Sequence, residues 1–337
     1  MRGARIAACL LLGAVLLPAC SSNSAKTSIT LYNGQHVQTT DALVSGFEKA
    51  TGINVVVRSN DEDTLADQVI SEGSHSPADV IYTENSLVLE HLQEQGLLAP
   101  VEVSTLAAVP STDSSPQGDW VGISARVSVM IYNPSLIAEG ALPTTVLDAA
   151  SPKYSGKIAI APSESDFQPI VTAVEAKDGQ AATVSWLEGL KSNAGSHVYP
   201  DNETVADEVN RGVVAFGIVN QYYWYRMQAE IGASAMHSQI AYFGAGDPGY
   251  VIDVSGAAVI KASKHAAAAQ KFLAYLVSQT GQRVIAHSIS YEYPLLAGVA
   301  TTAPETPLGQ LQPDPITLSQ LGDGSEAVTL LRQAGLL

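Results

Sequence analysis

From Ser28 onward the chain alternates short β-branched runs with amphipathic stretches, and this alternation most narrows the folds open to it. Ser28–Tyr32 (SITLY) is a β-rich run. In Asp41–Thr51, Leu43, Phe47 and Ala50 recur at helical spacing, and Gly52 is placed to stop the helix. Ile53–Val57 (INVVV) reads as a buried strand, Asp63–Glu72 as a second amphipathic helix, and Asp79–Tyr82 (DVIY) as a third strand. A β-α-β-α-β order predicts a mostly parallel sheet with helices on its faces. The pattern returns further on, with strands at Lys157–Ala161, Val213–Val219 and Gly256–Lys261, and helices at Ala181–Lys191 and Lys264–Gln279. Two α/β lobes joined by strands near Ser124–Tyr132 and Val251–Gly256 are the economical interpretation, and no short tandem repeat interrupts it.

Two such lobes need two cores, and a chain of 337 residues with 46% apolar content can fill them. The same content excludes a disordered chain. A small disulfide-stapled scaffold is excluded too, because the only cysteines are Cys9 and Cys20. Both lie in or beside a leader, MRGARIAACLLLGAVLLPAC, in which two arginines precede an apolar run from Ile6 to Leu17. That run is too short to span a bilayer and fits a secretory signal. Leu17-Pro18-Ala19-Cys20 resembles the lipobox of bacterial lipoproteins, which implies cleavage after residue 19 and lipid on Cys20. Residues 20–27 would then form a polar tether. The plainer alternative is a secreted protein with a chance cysteine. Either way the folded body carries no thiol, which excludes disulfides, thiolate catalysis and cysteine zinc sites. The formal charge of −16, nearer −18 without Arg2 and Arg5, gives no electrostatic footprint for nucleic acid or anionic lipid.

Ligands of open parallel sheets bind beyond the carboxyl ends of the strands. His36 falls there in Asn33-Gly34-Gln35-His36, Glu84 in Tyr82-Thr83-Glu84-Asn85, and Tyr222 and Tyr223 in Asn220-Gln221-Tyr222-Tyr223-Trp224-Tyr225. Each has a bland reading: a turn histidine, a helix-start charge, an aromatic packing cluster. Their convergence at one kind of position favours a hard cation. Two phenolates and a carboxylate sum to the charge that neutralises Fe³⁺, and oxygen donors suit such an ion. Tyrosine ionises near pH 10, so a strong Lewis acid is needed to deprotonate a pair at neutral pH.

ITLYNGQH, PADVIYTE, VNQYYWYR, DPG followed by SGAAVIKASK, and EYPL resemble the periplasmic ferric-ion-binding proteins of bacterial ABC importers. The likeness runs from about Ile29 to the C-terminal leucines. It implies an α/β, two-lobed type II periplasmic binding protein fold that closes like a flytrap, each lobe a mixed sheet flanked by helices, with residues 28–127 and 253–303 in the N-terminal lobe and 128–252 and 304–337 in the C-terminal lobe. It also implies a monomeric, non-enzymatic receptor that is exported, held at the membrane by lipid alone, and hands Fe³⁺ to a permease and its ATPase. The iron ligands it implies are His36, Glu84, Tyr222 and Tyr223.

One stretch departs from the family pattern. Members that complete the iron shell with phosphate use a Ser-Gly-small turn where this chain has Pro162-Ser163-Glu164-Ser165-Asp166. Two carboxylates beside a phosphate repel it. Asn202 and Asn220, the other anion-contacting positions, are kept. Ser163, Glu164, Ser165, Asn202 and Asn220 are therefore candidates for a small synergistic anion or water, unless Glu164 and Asp166 point to solvent. Two other functions compete: a receptor for an organic or anionic solute with the tyrosines as an aromatic wall, and a metal-dependent hydrolase, which lacks a separate general base. Gly244-Ala245-Gly246-Asp247-Pro248-Gly249 matches G-x-G-x-x-G but has no acidic partner at dinucleotide spacing, so it reads as a turn. Asn60-Asp61-Glu62-Asp63 reads as a helix-start charge run, and His75, His91, His197, His237, His265 and His287 receive no role.

Overall fold

The computed structural model describes residues 27–337, so the leader and Cys20 lie outside the described residues. Ten strands form the framework: β1 (Ser28–Asn33), β2 (Asn54–Ser59), β3 (Val80–Thr83), β4 (Leu98–Ala99), β5 (Val121–Tyr132), β6 (Ile158–Ala159), β7 (Phe216–Asn220), β8 (Gln239–Ala241), β9 (Ile252–Ile260) and β10 (Tyr293–Pro294). They follow the order β2-β1-β3-β9-β5-β7-β6, with β4 on β9 and both β8 and β10 on β5.

The β-α-β-α-β reading holds at the start of the chain, where β1 pairs in parallel with both β2 and β3. Helix Val37–Thr51 lies between β1 and β2 and ends on Gly52, which takes a left-handed φ of 73° at little steric cost. Helix Glu62–Glu72 begins where Asp61 accepts a hydrogen bond from the Thr64 N–H, so the acidic run does start a helix.

The mostly parallel sheet suggested by that local order gives way to the mixed sheets that the family resemblance implies. β3–β9, β9–β5 and β5–β7 are all antiparallel, and only β6–β7 is parallel in the second half. The reason lies in β5. Its residues 121–127 pair with β9, whereas residues 128–132 pair with β7 and β8. One strand thus serves two sheets, and the chain re-enters the first sheet against it. Where β9 leaves β5, the Ser128 hydroxyl accepts from the Val251 N–H and donates to the Gly249 carbonyl, so both of these backbone groups are satisfied. Val251–Gly256 and Gly256–Lys261, which the sequence pattern presents as two segments, are one strand. The helix expected over Lys264–Gln279 spans Ala266–Leu276, and a further helix, Gln279–Ala286, follows it, capped by Ser278. The glycine-rich match at residues 244–249 is a turn.

Helices pack on both halves of the framework: Ser86–Glu94 and Ala266–Leu276 on β9, and Asn202–Asn210 on β7. Leu31, Phe47, Val80, Leu89 and Phe272 at one end and Ile131, Trp186, Leu187, Val205 and Phe216 at the other belong to one contiguous buried apolar cluster. The C-terminal helix Ser325–Gln333 packs on helices Gln168–Asp178 and Gln180–Ala194 of the second lobe. Among the described residues no helix is long and apolar enough to cross a membrane.

Candidate metal centre

Three strand ends converge between the lobes. His36 sits just past β1 and caps helix Val37–Thr51, its N–H donating to the Gln35 side-chain oxygen at 2.7 Å. The chain bends sharply before it, at Gly34, where a Cβ would stand 2.6 Å from the Cβ of Glu62. Only glycine admits that approach. Glu84 directly follows β3. Its backbone oxygen accepts from the Arg126 guanidinium and, at 3.0 Å, from the Ser255 hydroxyl. Tyr222 and Tyr223 begin helix Gln221–Ile231 directly after β7.

The side chains form one assembly. His36 Nδ1 lies 2.9 Å from Glu84 Oε1, while its Nε2 is buried without a hydrogen-bond partner. The His36 and Tyr222 rings meet edge to face at 5.3 Å, and the Tyr222 and Tyr223 rings lie 4.1 Å apart. Both phenols donate to one oxygen, Asp166 Oδ2, at 3.2 and 3.0 Å. The structure therefore brings together all four candidate donors, two from each lobe.

Asp166 resolves the ambiguity of the Glu164-Ser165-Asp166 stretch. It turns inward and is buried, its Oδ1 held by Arg126 Nε at 2.9 Å. The expected anion residues divide. Asn202 Nδ2 reaches Asp166 Oδ2 at 3.4 Å, and Asn220 Nδ2 is buried without a partner. Ser163 instead donates to the Pro200 carbonyl on the exposed side, and Ser165 offers only its carbonyl, to Asn85 of the other lobe at 3.3 Å. Glu164 stays partly exposed.

Arg126 is the group the residue pattern does not single out. It is fully buried in β5 and pairs with Asp166, with Asp253 at 2.8 Å and more distantly with Glu292 at 3.9 Å. Glu292 also accepts from Gln35, Ser124 and Ser255. A lone arginine inside a strand carries no sequence signal of this kind; EYPL, which contains Glu292, is the nearest hint.

The electrostatics follow from burial against charge. Burial pushes both tyrosines well above the ordinary phenol range, and Asp166 adds to it. Both phenols are thus protonated hydrogen-bond donors to Asp166. Burial pulls His36 down, but the Glu84 charge and hydrogen bond outweigh it and leave the imidazole above its usual value. For Glu84 burial acts upward, yet His36 and the two arginines Arg126 and Arg226 hold it low, so it is ionised. Burial and the neighbouring acids Asp166, Glu203, Asp201 and Glu84 push Glu164 up to about 8. No three His, Cys, Asp or Glu among the described residues are grouped to hold a metal.

A profile of the family described as bacterial extracellular solute-binding protein matches residues 33–283. The chain is 36% identical to the Fe(3+)-binding periplasmic protein of Serratia marcescens over 314 residues, which cover 93% of this chain and 92% of that one. It is 35% identical to the major ferric iron-binding protein of Neisseria meningitidis over 318 residues, 94% of this chain and 95% of that one. The crystal structure of iron-bound HitA from Pseudomonas aeruginosa superimposes with a TM-score of 0.86 at 40% identity, covering 92% of this chain and 99% of that one. With the two sheets, the shared strand and the cleft between them, these likenesses place the chain in a two-lobed binding-protein fold: it belongs to the bacterial extracellular solute-binding protein family.

Proposed function

We propose that this protein is the ferric-ion receptor of a bacterial iron importer, taking Fe³⁺ between its lobes through His36, Glu84, Tyr222 and Tyr223 and passing it to an ABC permease with its ATPase. The observation that carries the reading is the pair of adjacent, buried phenols meeting an imidazole–carboxylate pair from the opposite lobe. The names of the Serratia and Neisseria relatives agree with it.

A trication replaces the phenolic protons, so binding releases one proton per tyrosine and leaves two phenolates and Glu84 to balance the ion's charge. His36 Nε2, with no protein partner, is free to donate its lone pair while Nδ1 stays on Glu84. Because the donors come from both lobes, the ion itself favours the closed state over the open one. In this reading residues 28–127 with 253–303, and 128–252 with 304–337, are the closing bodies; the protein acts as a monomer and catalyses no reaction.

The test is metal analysis and a visible spectrum of the mature domain. Tyrosinate-to-iron charge transfer should colour the wild type red-orange. Tyr222→Phe and Tyr223→Phe should each remove most of the band and weaken iron retention against citrate by orders of magnitude. Full colour and tight iron in both variants would refute the assignment. A colourless wild type that binds an organic solute instead would favour the aromatic-wall reading.

A further inference from the structure

We propose that Glu62 is a positioning residue for the His36–Glu84 half of the metal centre, holding the peptide that carries Glu84 and seating the turn that carries His36. This rests on the ferric reading above and assigns the support beneath two of its ligands.

Glu62 belongs to the acidic run Asn60-Asp61-Glu62-Asp63, which the residue pattern marks only as a helix start. The structure separates it from its neighbours. Asp61 and Asp63 are exposed, and Asp61 caps the helix by accepting from the Thr64 N–H. Glu62 turns inward and is 5% exposed. A charge that served only the helix terminus would stay in water, where it already meets the helix dipole without a burial cost. Here one oxygen, Oε1, is buried with no partner, so the contacts of Oε2 and of the stem have to offset its desolvation.

Oε2 accepts from the Asn85 N–H at 3.0 Å. That N–H and the Glu84 carbonyl belong to one planar peptide unit. The Arg126 guanidinium and the Ser255 hydroxyl donate to the carbonyl, while Glu62 takes the N–H. Gripped from both edges, the plane cannot turn about the Glu84 Cα–C bond. This fixes the direction in which the Glu84 side chain leaves the chain, toward His36 Nδ1 at 2.9 Å. Asn85 is committed in its other groups too. Its carbonyl accepts from the Thr83 hydroxyl at 2.8 Å and its Oδ1 from the Leu87 N–H at 3.0 Å, and its Nδ2 donates to the Ser165 carbonyl of the opposite lobe at 3.3 Å.

The stem of Glu62 meets the other ligand's loop. A Cβ on Gly34, two residues before His36, would stand 2.6 Å from Glu62 Cβ and 3.0 Å from its Cα. The Asn60 N–H donates to the Asn33 carbonyl at 3.2 Å, and the Gly34 N–H to the Tyr82 carbonyl at 2.7 Å. The end of β1, the end of β3 and the first position of helix Glu62–Glu72 therefore lock together, with Glu62 touching both ligand-bearing loops.

The experiment loads the mature domain with ferric iron and reads the charge-transfer band, iron retention against citrate, the urea midpoint, and exchange of the Asn85 amide by NMR. Partners that orient a metal ligand are typically worth about 10–100-fold in metal affinity. Glu62→Ala should lose retention by that factor, with faster Asn85 exchange, and should keep a tyrosinate band because both phenols are untouched. Glu62→Gln, which keeps an acceptor oxygen for the Asn85 N–H, should stay within about threefold of wild type on that scale. Asp61→Ala removes the cap of the same helix but not the Asn85 bond, so it should lower the urea midpoint and leave retention unchanged. Wild-type retention in Glu62→Ala overturns the proposal. So does an equal loss in Glu62→Gln, which would make charge rather than the hydrogen bond decisive, or an equal loss in Asp61→Ala, which would make helix stability decisive. Should Glu62→Ala fail to fold, wild type itself decides: an Asn85 amide that exchanges as fast as exposed ones overturns it. A wild type with no band overturns the ferric reading as well, whereas a normal band beside an unaffected Glu62→Ala overturns the role of Glu62 alone.

Discussion

Arg126 carries the largest electrostatic responsibility of any single residue in the cleft. Its guanidinium has no exposed surface and faces Asp166, Asp253 and Glu292. Burial pushes the Asp253 carboxyl up to about 6 against the pull of that guanidinium, so desolvation outweighs the ion pair at this position. Removing one partner of a buried ion pair leaves uncompensated charge and costs about 3–5 kcal/mol. Arg126→Met should therefore lower the urea midpoint by an amount equivalent to about that loss. It should also weaken iron binding, because Asp166 and the Glu84 backbone lose their common anchor. A loss under about 1 kcal/mol would mean that the carboxylates take up protons and repack at little cost.

At the scale of elements, the site depends on where β3, β5, β7 and β9 end and cross. Gly256 lies in β9 opposite Thr83 and Gly122, one residue from the Ser255 hydroxyl that holds the Glu84 carbonyl. A Cβ there would come within 2.6 Å of Leu89 Cδ1 and 3.0 Å of the Trp120 ring, with the Val121 carbonyl at 3.2 Å. Leu89 and Trp120 are both fully buried, so neither has free space to retreat into. Overpacking of this kind costs about 1–3 kcal/mol. Gly256→Ala should shift the denaturation midpoint by that much with an unchanged m-value, and should reduce iron retention by displacing the β3 end from β9. An unchanged midpoint would show that the crossing strands give way freely.

For the molecule as a whole, the lipoprotein reading places the proposed receptor at a membrane surface toward which its acidity gives no attraction. The formal charge is −16. An acidic body of this kind is not drawn to anionic lipid, so in that reading membrane residence comes from the covalent anchor proposed at Cys20. Cys20→Ala in the full chain should leave iron binding unchanged and move the protein from the membrane fraction to the soluble one. A variant that still sediments with membranes after leader cleavage would refute the lipoprotein reading.

Local periodicity makes much of this legible. β-branched runs and helical spacing mark β1, the helices at Val37–Thr51 and Glu62–Glu72, β3 and β7, and so put His36, Glu84, Tyr222 and Tyr223 at strand ends from residue pattern alone. Side-chain chemistry marks the hard-cation preference of that set. Tertiary structure alone decides the direction of the second half of the sheet, the continuity of β9, and which carboxylate turns inward. Asp166 and Glu164 are two residues apart and chemically alike, yet one is buried against Arg126 and the other is partly exposed. That choice is made by a guanidinium 40 residues away on a strand shared between two sheets. The physical reason is range: strand and helix patterns are written in neighbouring residues, whereas the burial of a charge depends on a counter-charge that only the folded chain brings within about 3 Å.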